Sequence, residues 1–161
     1  TILFKMINNL ETYLTFENIY LFANWGVIPF WLMLILAPNH GSTKFLVNSI
    51  VVPLLLSIAY AFVAYKIYIE GNFLEGFNLY IGLEELYAIY SNETFLLIFW
   101  LHFLSISLFV GSWISRDSQR YMIPRILIIP SILLTYFTGP IGLVFYWIVR
   151  IFFAKKISFN D

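Results

Sequence analysis

Long apolar stretches separated by short polar ones organise the chain. Leu21 to Pro38 is apolar apart from Asn24, with Gly26 and Pro29 inside it, and approaches the ~20 residues that a helix needs to cross a bilayer. A second stretch runs from Phe45 to Ile69, with Pro53 inside it and Lys66 near its end, where a long aliphatic stem can carry the amine to the interface. The third, Thr94 to Ser115, is uncharged and holds a histidine, His102, at membrane depth. The fourth begins near Ile123 and continues to Ala154, roughly 48 Å if wholly helical, against a bilayer core of about 30 Å. Such a span must tilt, bend or project. Pro130 and the Gly139-Pro140 pair supply a bend, because proline removes an intrahelical donor. Arg150, Lys155 and Lys156 then mark the exit into headgroups. The pattern predicts an all-α membrane protein, a bundle of four transmembrane helices in a single integral membrane domain over residues 1–161.

Glu70 to Glu93, between the second and third spans, holds five acids and no Lys or Arg. Leu79, Leu83, Leu86, Tyr87 and Tyr90 recur there at helical spacing while Glu84 and Glu85 fall elsewhere, which predicts an amphipathic helix lying on the membrane. Met6, Leu10, Tyr13 and Leu14 give a weaker version of the same pattern. The first span is longer than a signal-peptide core and lacks a cleavage pattern, so it is expected to stay in the mature protein. Asn92-Glu93-Thr94 matches a glycosylation sequon but abuts the third span too closely to favour modification. Four crossings put both termini on one side, with five Lys or Arg there and four opposite, and the positive-inside rule does not choose between orientations.

Composition agrees with this reading: 61% of the 161 residues are hydrophobic and 11% charged, where soluble domains have about 45–50% and about 25%. The formal net charge is zero, so no basic field exists to attract nucleic acid. With no cysteine, thiolate chemistry and disulfides are excluded, and two histidines are too few for a histidine metal cage, so no metal is expected. There is no phosphate-binding glycine loop, no H-E-x-x-H and no G-x-S-x-G. The chemistry left is that of isolated polar groups in apolar helices. His102 reads either as a proton shuttle or pigment-metal ligand, or as a neutral imidazole hydrogen-bonded to a neighbouring helix. Tyr60 reads as a hydroxyl donor or as a packing residue, and Tyr136 is a second hydroxyl candidate. Aromatics are 20% of the chain, and Trp31, Trp100, Phe103, Trp113 and Phe137 favour packing and lipid-facing roles, with lining a slot for a flat polyene as the other reading. Gly139 sits in a Gly-Pro-Ile-Gly stretch that suits close helix packing and also opens room for a ligand near the bend.

Taken in order, Pro29-Phe30-Trp31-Leu32-Met33, Ala37-Pro38-Asn39, Trp100-Leu101-His102-Phe103-Leu104, Leu108-Phe109-Val110-Gly111-Ser112-Trp113, Arg116-Asp117 and Gly139-Pro140-Ile141-Gly142-Leu143 resemble the abscisic-acid-deficient-four-like family of membrane proteins. The resemblance covers roughly residues 20–153. It implies four helices, no required cofactor, a bound carotenoid, and a place in xanthophyll metabolism in a plastid thylakoid or bacterial inner membrane. The reaction it implies turns an epoxide end group of violaxanthin into the allene of neoxanthin, which needs an acid at the epoxide and a base at a ring-adjacent proton. His102 as base, with Tyr60 or Tyr136 as hydroxyl donors, would serve; Glu84 and Glu85 are alternatives if the acidic segment folds over the site. The family pattern in the third helix places an acid where Ser107 stands and an arginine where Ser112 stands, so this helix has lost both charges together. That loss favours an alternative role, a non-catalytic pigment-binding or structural accessory subunit of a larger membrane complex.

Overall fold

A computed structural model describes residues 14–71 and 74–158. The described residues form helices and no strand: α1 (Phe16–Gly26), α2 (Ile28–Leu36), α3 (Val51–Ile69), α4 (Leu83–Tyr90), α5 (Glu93–Arg120), α6 (Arg125–Thr138) and α7 (Pro140–Ala154), with shorter turns between them. Three stretches are long and apolar enough to cross a membrane: Phe16–Leu36, Gly41–Ile69 and Glu93–Arg120. Each outruns the apolar window that marks it in sequence, because polar groups at its ends are used as caps. The Thr15 hydroxyl accepts from the Asn18 N–H at 3.2 Å, His40 Nδ1 accepts from the Ser42 N–H at 3.3 Å, and Asn92 Oδ1 accepts from the Thr94 N–H at 2.9 Å. The asparagine of the sequon is therefore part of a helix start. Proline is harmless where it falls early: Pro29 is in the first turn of α2 and Pro53 in that of α3, where no intrahelical N–H is needed. Of the N-terminal amphipathic pattern, Met6, Leu10 and Tyr13 lie outside the described residues.

The chain divides into two compact units, Thr1–Gly26 with Leu56–His102, and Val27–Leu55 with Phe103–Asp161. In the first, Ile19, Ala23, Leu56, Val63, Ile67, Leu97 and Leu101 are buried. Its acidic segment is not the single amphipathic helix expected over Leu79–Tyr90. A 3₁₀ stretch, Leu74–Tyr80, ends in a turn closed by the Ile81 N–H on the Asn78 carbonyl at 2.9 Å, and α4 begins only at Leu83. Gly82, extended and a poor helix former, separates the two. Leu83 and Tyr87, on the apolar stripe, are 81% and 76% exposed, as a face that meets the membrane would be.

The second unit overturns the reading of the fourth span. Residues 125–154 are not one bent helix but two helices, of 14 and 15 residues, that reverse at Gly139 and pack against each other. Pro130 sits inside α6 without ending it. The reversal needs Gly139, which has φ +62° and ψ −88°, and Pro140 then opens α7. Close approach of the arms needs Gly142: a methyl there would lie 2.2 Å from the Thr135 backbone nitrogen. The remaining core mixes Leu34, Leu104, Leu108, Ile114 and Ile132 with small hydroxyl residues, the composition that lets helices approach closely where lipid provides no hydrophobic drive. Those hydroxyls are satisfied by backbone carbonyls: Thr43 on Ala37 at 2.7 Å, Ser105 on Pro53 at 3.0 Å, Thr135 on Ser131 at 2.7 Å.

Candidate functional site

In the first unit, α3 and α5 bring Tyr60 and His102 together, with ring centroids 6.3 Å apart. Both line a groove of about 400 Å³. Its other walls come from α5 (Phe95, Ile98, Phe99) and from the acidic segment, which folds over the site and contributes Phe77, Tyr80 and Tyr90. The segment presents aromatics to the groove; Glu84 and Glu85 do not line it. Tyr90 packs edge-on against Phe99 at 5.1 Å, tying the segment to α5. Among the described residues, neither His102 nor Tyr60 has a hydrogen bond, and both side chains are exposed. Both polar tips are available to a ligand. The volume falls at the lower end of small-molecule sites, about 300–1,000 Å³.

The other sequence candidates lie elsewhere. Tyr136 does not line this groove; in the second unit it meets Trp31 at 5.5 Å and Phe137 at 4.8 Å. Trp31 fills the notch left by Gly111, where a methyl group would come within 2.6 Å of its ring. Phe103 lies against Gly139, and Trp113 packs between Tyr146 at 5.4 Å and Trp147 at 6.0 Å. Phe137 is 71% exposed. Trp100 lies 6.4 Å from Tyr20 and lines a separate groove of the first unit with Phe16, Glu17, Glu93, Leu96 and Leu97. Within the second unit, Trp31 with Tyr136 and Trp113 with Tyr146 and Trp147 make two separate ring clusters. The aromatic lining beside His102 is instead Phe77, Tyr80, Tyr90, Phe95 and Phe99, whose signal in sequence is an aromatic-rich acidic segment leading into the third apolar stretch.

A second polar cluster joins α5 and α7. Arg150, assigned from the sequence to the headgroup exit, is 1% exposed, and its Nε donates to Asp117 Oδ2 at 2.7 Å. The Tyr146 hydroxyl donates to the same oxygen at 2.5 Å, and Arg150 also donates to the Tyr121 hydroxyl at 3.3 Å and the Ser158 carbonyl at 3.4 Å. Tyr121 and Trp147 stack on the guanidinium at 4.8 and 5.0 Å. Arg150 is buried because α7 returns along α5 and carries it to Asp117. Every partner here is already engaged, which makes this cluster a clasp.

Ser107 and Ser112 are both buried but have different neighbours. The Ser112 hydroxyl donates to Asn48 Oδ1 at 3.1 Å, whereas Ser107 lies beside Gly139. Ser107→Asp is therefore expected to lower stability by about 1–3 kcal/mol, the cost of a buried polar group without a partner. Adding Ser112→Arg should not restore it, because the two positions serve separate contacts. Thermal melting of both variants in detergent checks this; recovery in the double variant would show a shared site.

Among the described residues no group of three or more His, Asp or Glu is placed to hold a metal. No curated protein and no solved structure matches the chain. The profile of the ABA DEFICIENT 4-like family matches residues 18–146, a stretch that includes α2 to α6, the His102 groove and α7 as far as Tyr146. The chain accordingly belongs to the ABA DEFICIENT 4-like family.

Proposed function

We propose that this is a lipid-embedded protein that takes the oxygenated ring of a carotenoid into the Tyr60–His102 groove and isomerises its epoxide end. The observation that carries the reading is the convergence of two polar tips, neither hydrogen-bonded among the described residues, on one aromatic-lined groove. Family membership supports it, since the family resemblance implies xanthophyll chemistry. Opening the epoxide needs a proton at oxygen, for which the Tyr60 hydroxyl is the donor; forming the allene needs loss of the ring-adjacent proton, for which the His102 imidazole is the base. The proton removed at carbon balances the one delivered to oxygen, so the product is an isomer and no redox partner is consumed. The polyene tail leaves along the exposed apolar surface of the helices, among lipid chains.

Purified protein incubated with violaxanthin in lipid nanodiscs tests this. Bound pigment and formation of the allenic product are expected, with His102→Ala and Tyr60→Phe each reducing turnover about a hundredfold or more. The control Lys156→Ala should be unaffected. Pigment bound without turnover would instead establish the second reading, a non-catalytic carotenoid holder or accessory subunit. That reading is favoured by the groove's lack of a carboxylate and by the neutral Ser107 and Ser112.

A further inference from the structure

The hairpin of α6 and α7 changes how the chain threads a membrane. At 1.5 Å per residue its arms are about 21 and 22 Å long, short of a bilayer core of about 30 Å. α5 serves as a ruler for its depth. The tip, Gly139, lies against Phe103 and Ser107, near the middle of Glu93–Arg120. The far end of α7 is fixed by Arg150 to Asp117 and Tyr121, at the end of α5 from which α6 also departs. Both arms therefore begin and end at one level, and the tip reaches about half the length of α5.

We infer that α6 and α7 form a re-entrant hairpin, that the chain crosses the membrane three times, and that its basic face lies on the cytoplasmic side. This rests on the membrane reading made above. With three crossings, the connection 37–40 with the first turns of Gly41–Ile69, the connection 121–124 and the segment after α7 share a side. That side carries Lys44, Arg116, Arg120, Arg125, Arg150, Lys155 and Lys156. The other has Lys66 and, ahead of α1 in sequence, Lys5. Four full crossings leave the basic residues at five against four; a re-entrant hairpin makes them seven against two, and the positive-inside rule then decides the orientation. Among the described acids, Glu17, Glu70, Glu75, Glu84, Glu85 and Glu93 fall opposite the basic face, with Asp117 on it and clasped by Arg150. The segment that roofs the His102 groove thus faces the non-cytoplasmic side, and the groove takes its ligand from that leaflet.

The absence of cysteine from the sequence makes the test direct. Single cysteines replace exposed residues, as Glu84→Cys, Met122→Cys and Ile157→Cys, in chain expressed in bacteria. Intact and permeabilised cells are then treated with a membrane-impermeant maleimide. Glu84→Cys should label in intact cells, and Met122→Cys and Ile157→Cys only after permeabilisation. If Ile157→Cys labels in intact cells with Glu84→Cys while Met122→Cys does not, the fourth segment crosses and the hairpin inference is overturned. If Met122→Cys and Ile157→Cys label in intact cells and Glu84→Cys does not, the assignment of sides is overturned. Extraction of the same membranes with alkaline carbonate separates these results from failure of the membrane reading, in which the chain would leave with the soluble fraction.

Discussion

Arg150→Met should destabilise the protein by about 3 kcal/mol, the lower end of the cost of breaking a buried ion pair, because the clasp lies near a helix end rather than deep in a core. The loss comes less from the missing attraction than from what remains. Asp117, 9% exposed, would keep only the Tyr146 hydroxyl on its Oδ2, without a countercharge. The aromatic rings of Tyr121 and Trp147 would stack on a thioether in place of a cation, so packing is largely kept while charge is not. Asp117→Asn added to Arg150→Met should recover much of the loss, since an amide can still accept from Tyr146 and needs no countercharge. Denaturation in detergent, followed by the fluorescence of the tryptophans beside the clasp, measures the cycle. If the double variant is as unstable as the two single losses added together, the residues are not coupled and the clasp is not what holds α7 to α5.

Helical class and the three long apolar stretches were legible because a crossing helix needs only length and apolar content, which sequence records directly. The fourth stretch was not, because thirty apolar residues satisfy one bent crossing and two packed arms equally well. What separates them is a pair of stripes. Ser131 and Thr135 stand four apart on α6, and Gly142, Tyr146 and Arg150 stand four apart on α7, all five buried. Small residues at that spacing on both sides of a Gly-Pro pair are the mark of two helices closing on each other. Read that way, Arg150 continues the buried stripe rather than beginning an exit into headgroups, and an acid to meet it becomes the thing to look for.

The groove was half legible. His102 was singled out because a histidine at membrane depth is rare and needs an explanation, and Tyr60 because its hydroxyl has the same need. Their meeting depends on the register between α3 and α5, which no periodicity within either helix encodes. Tyr136 passed the same residue-type filter and lies in the other unit with Trp31, which shows how little residue type alone decides. The acidic segment misled in a further way. Its apolar stripe was read as one surface helix, while the break at Ile81–Gly82 lets its 3₁₀ half turn Phe77 and Tyr80 toward the groove and leaves Leu83 and Tyr87 outward.

Gly142→Ala is expected to be as damaging as loss of the clasp, although it adds a single methyl group. Overpacking usually costs about 1–3 kcal/mol because side chains shift to relieve it, and the upper end applies here because the obstacle is backbone. The new carbon would lie 2.2 Å from the Thr135 nitrogen and 2.6 Å from its Cα, atoms held by the hydrogen bonds of α6. Relief requires the arms to part. Since the Gly139 reversal fixes one end of α7, parting the arms would swing the other end, withdrawing Arg150 from Asp117 and Tyr121. Gly142→Ala and Arg150→Met should then be less than additive, because the first already loosens what the second removes. Gly26→Ala is the matched control: no atom lies within 4 Å of the added carbon, so its effect on melting should stay within about 1 kcal/mol. A Gly142→Ala protein that melts like the Gly26→Ala control would show that the arms are not in contact at Thr135, and the depth of the hairpin would lose its support.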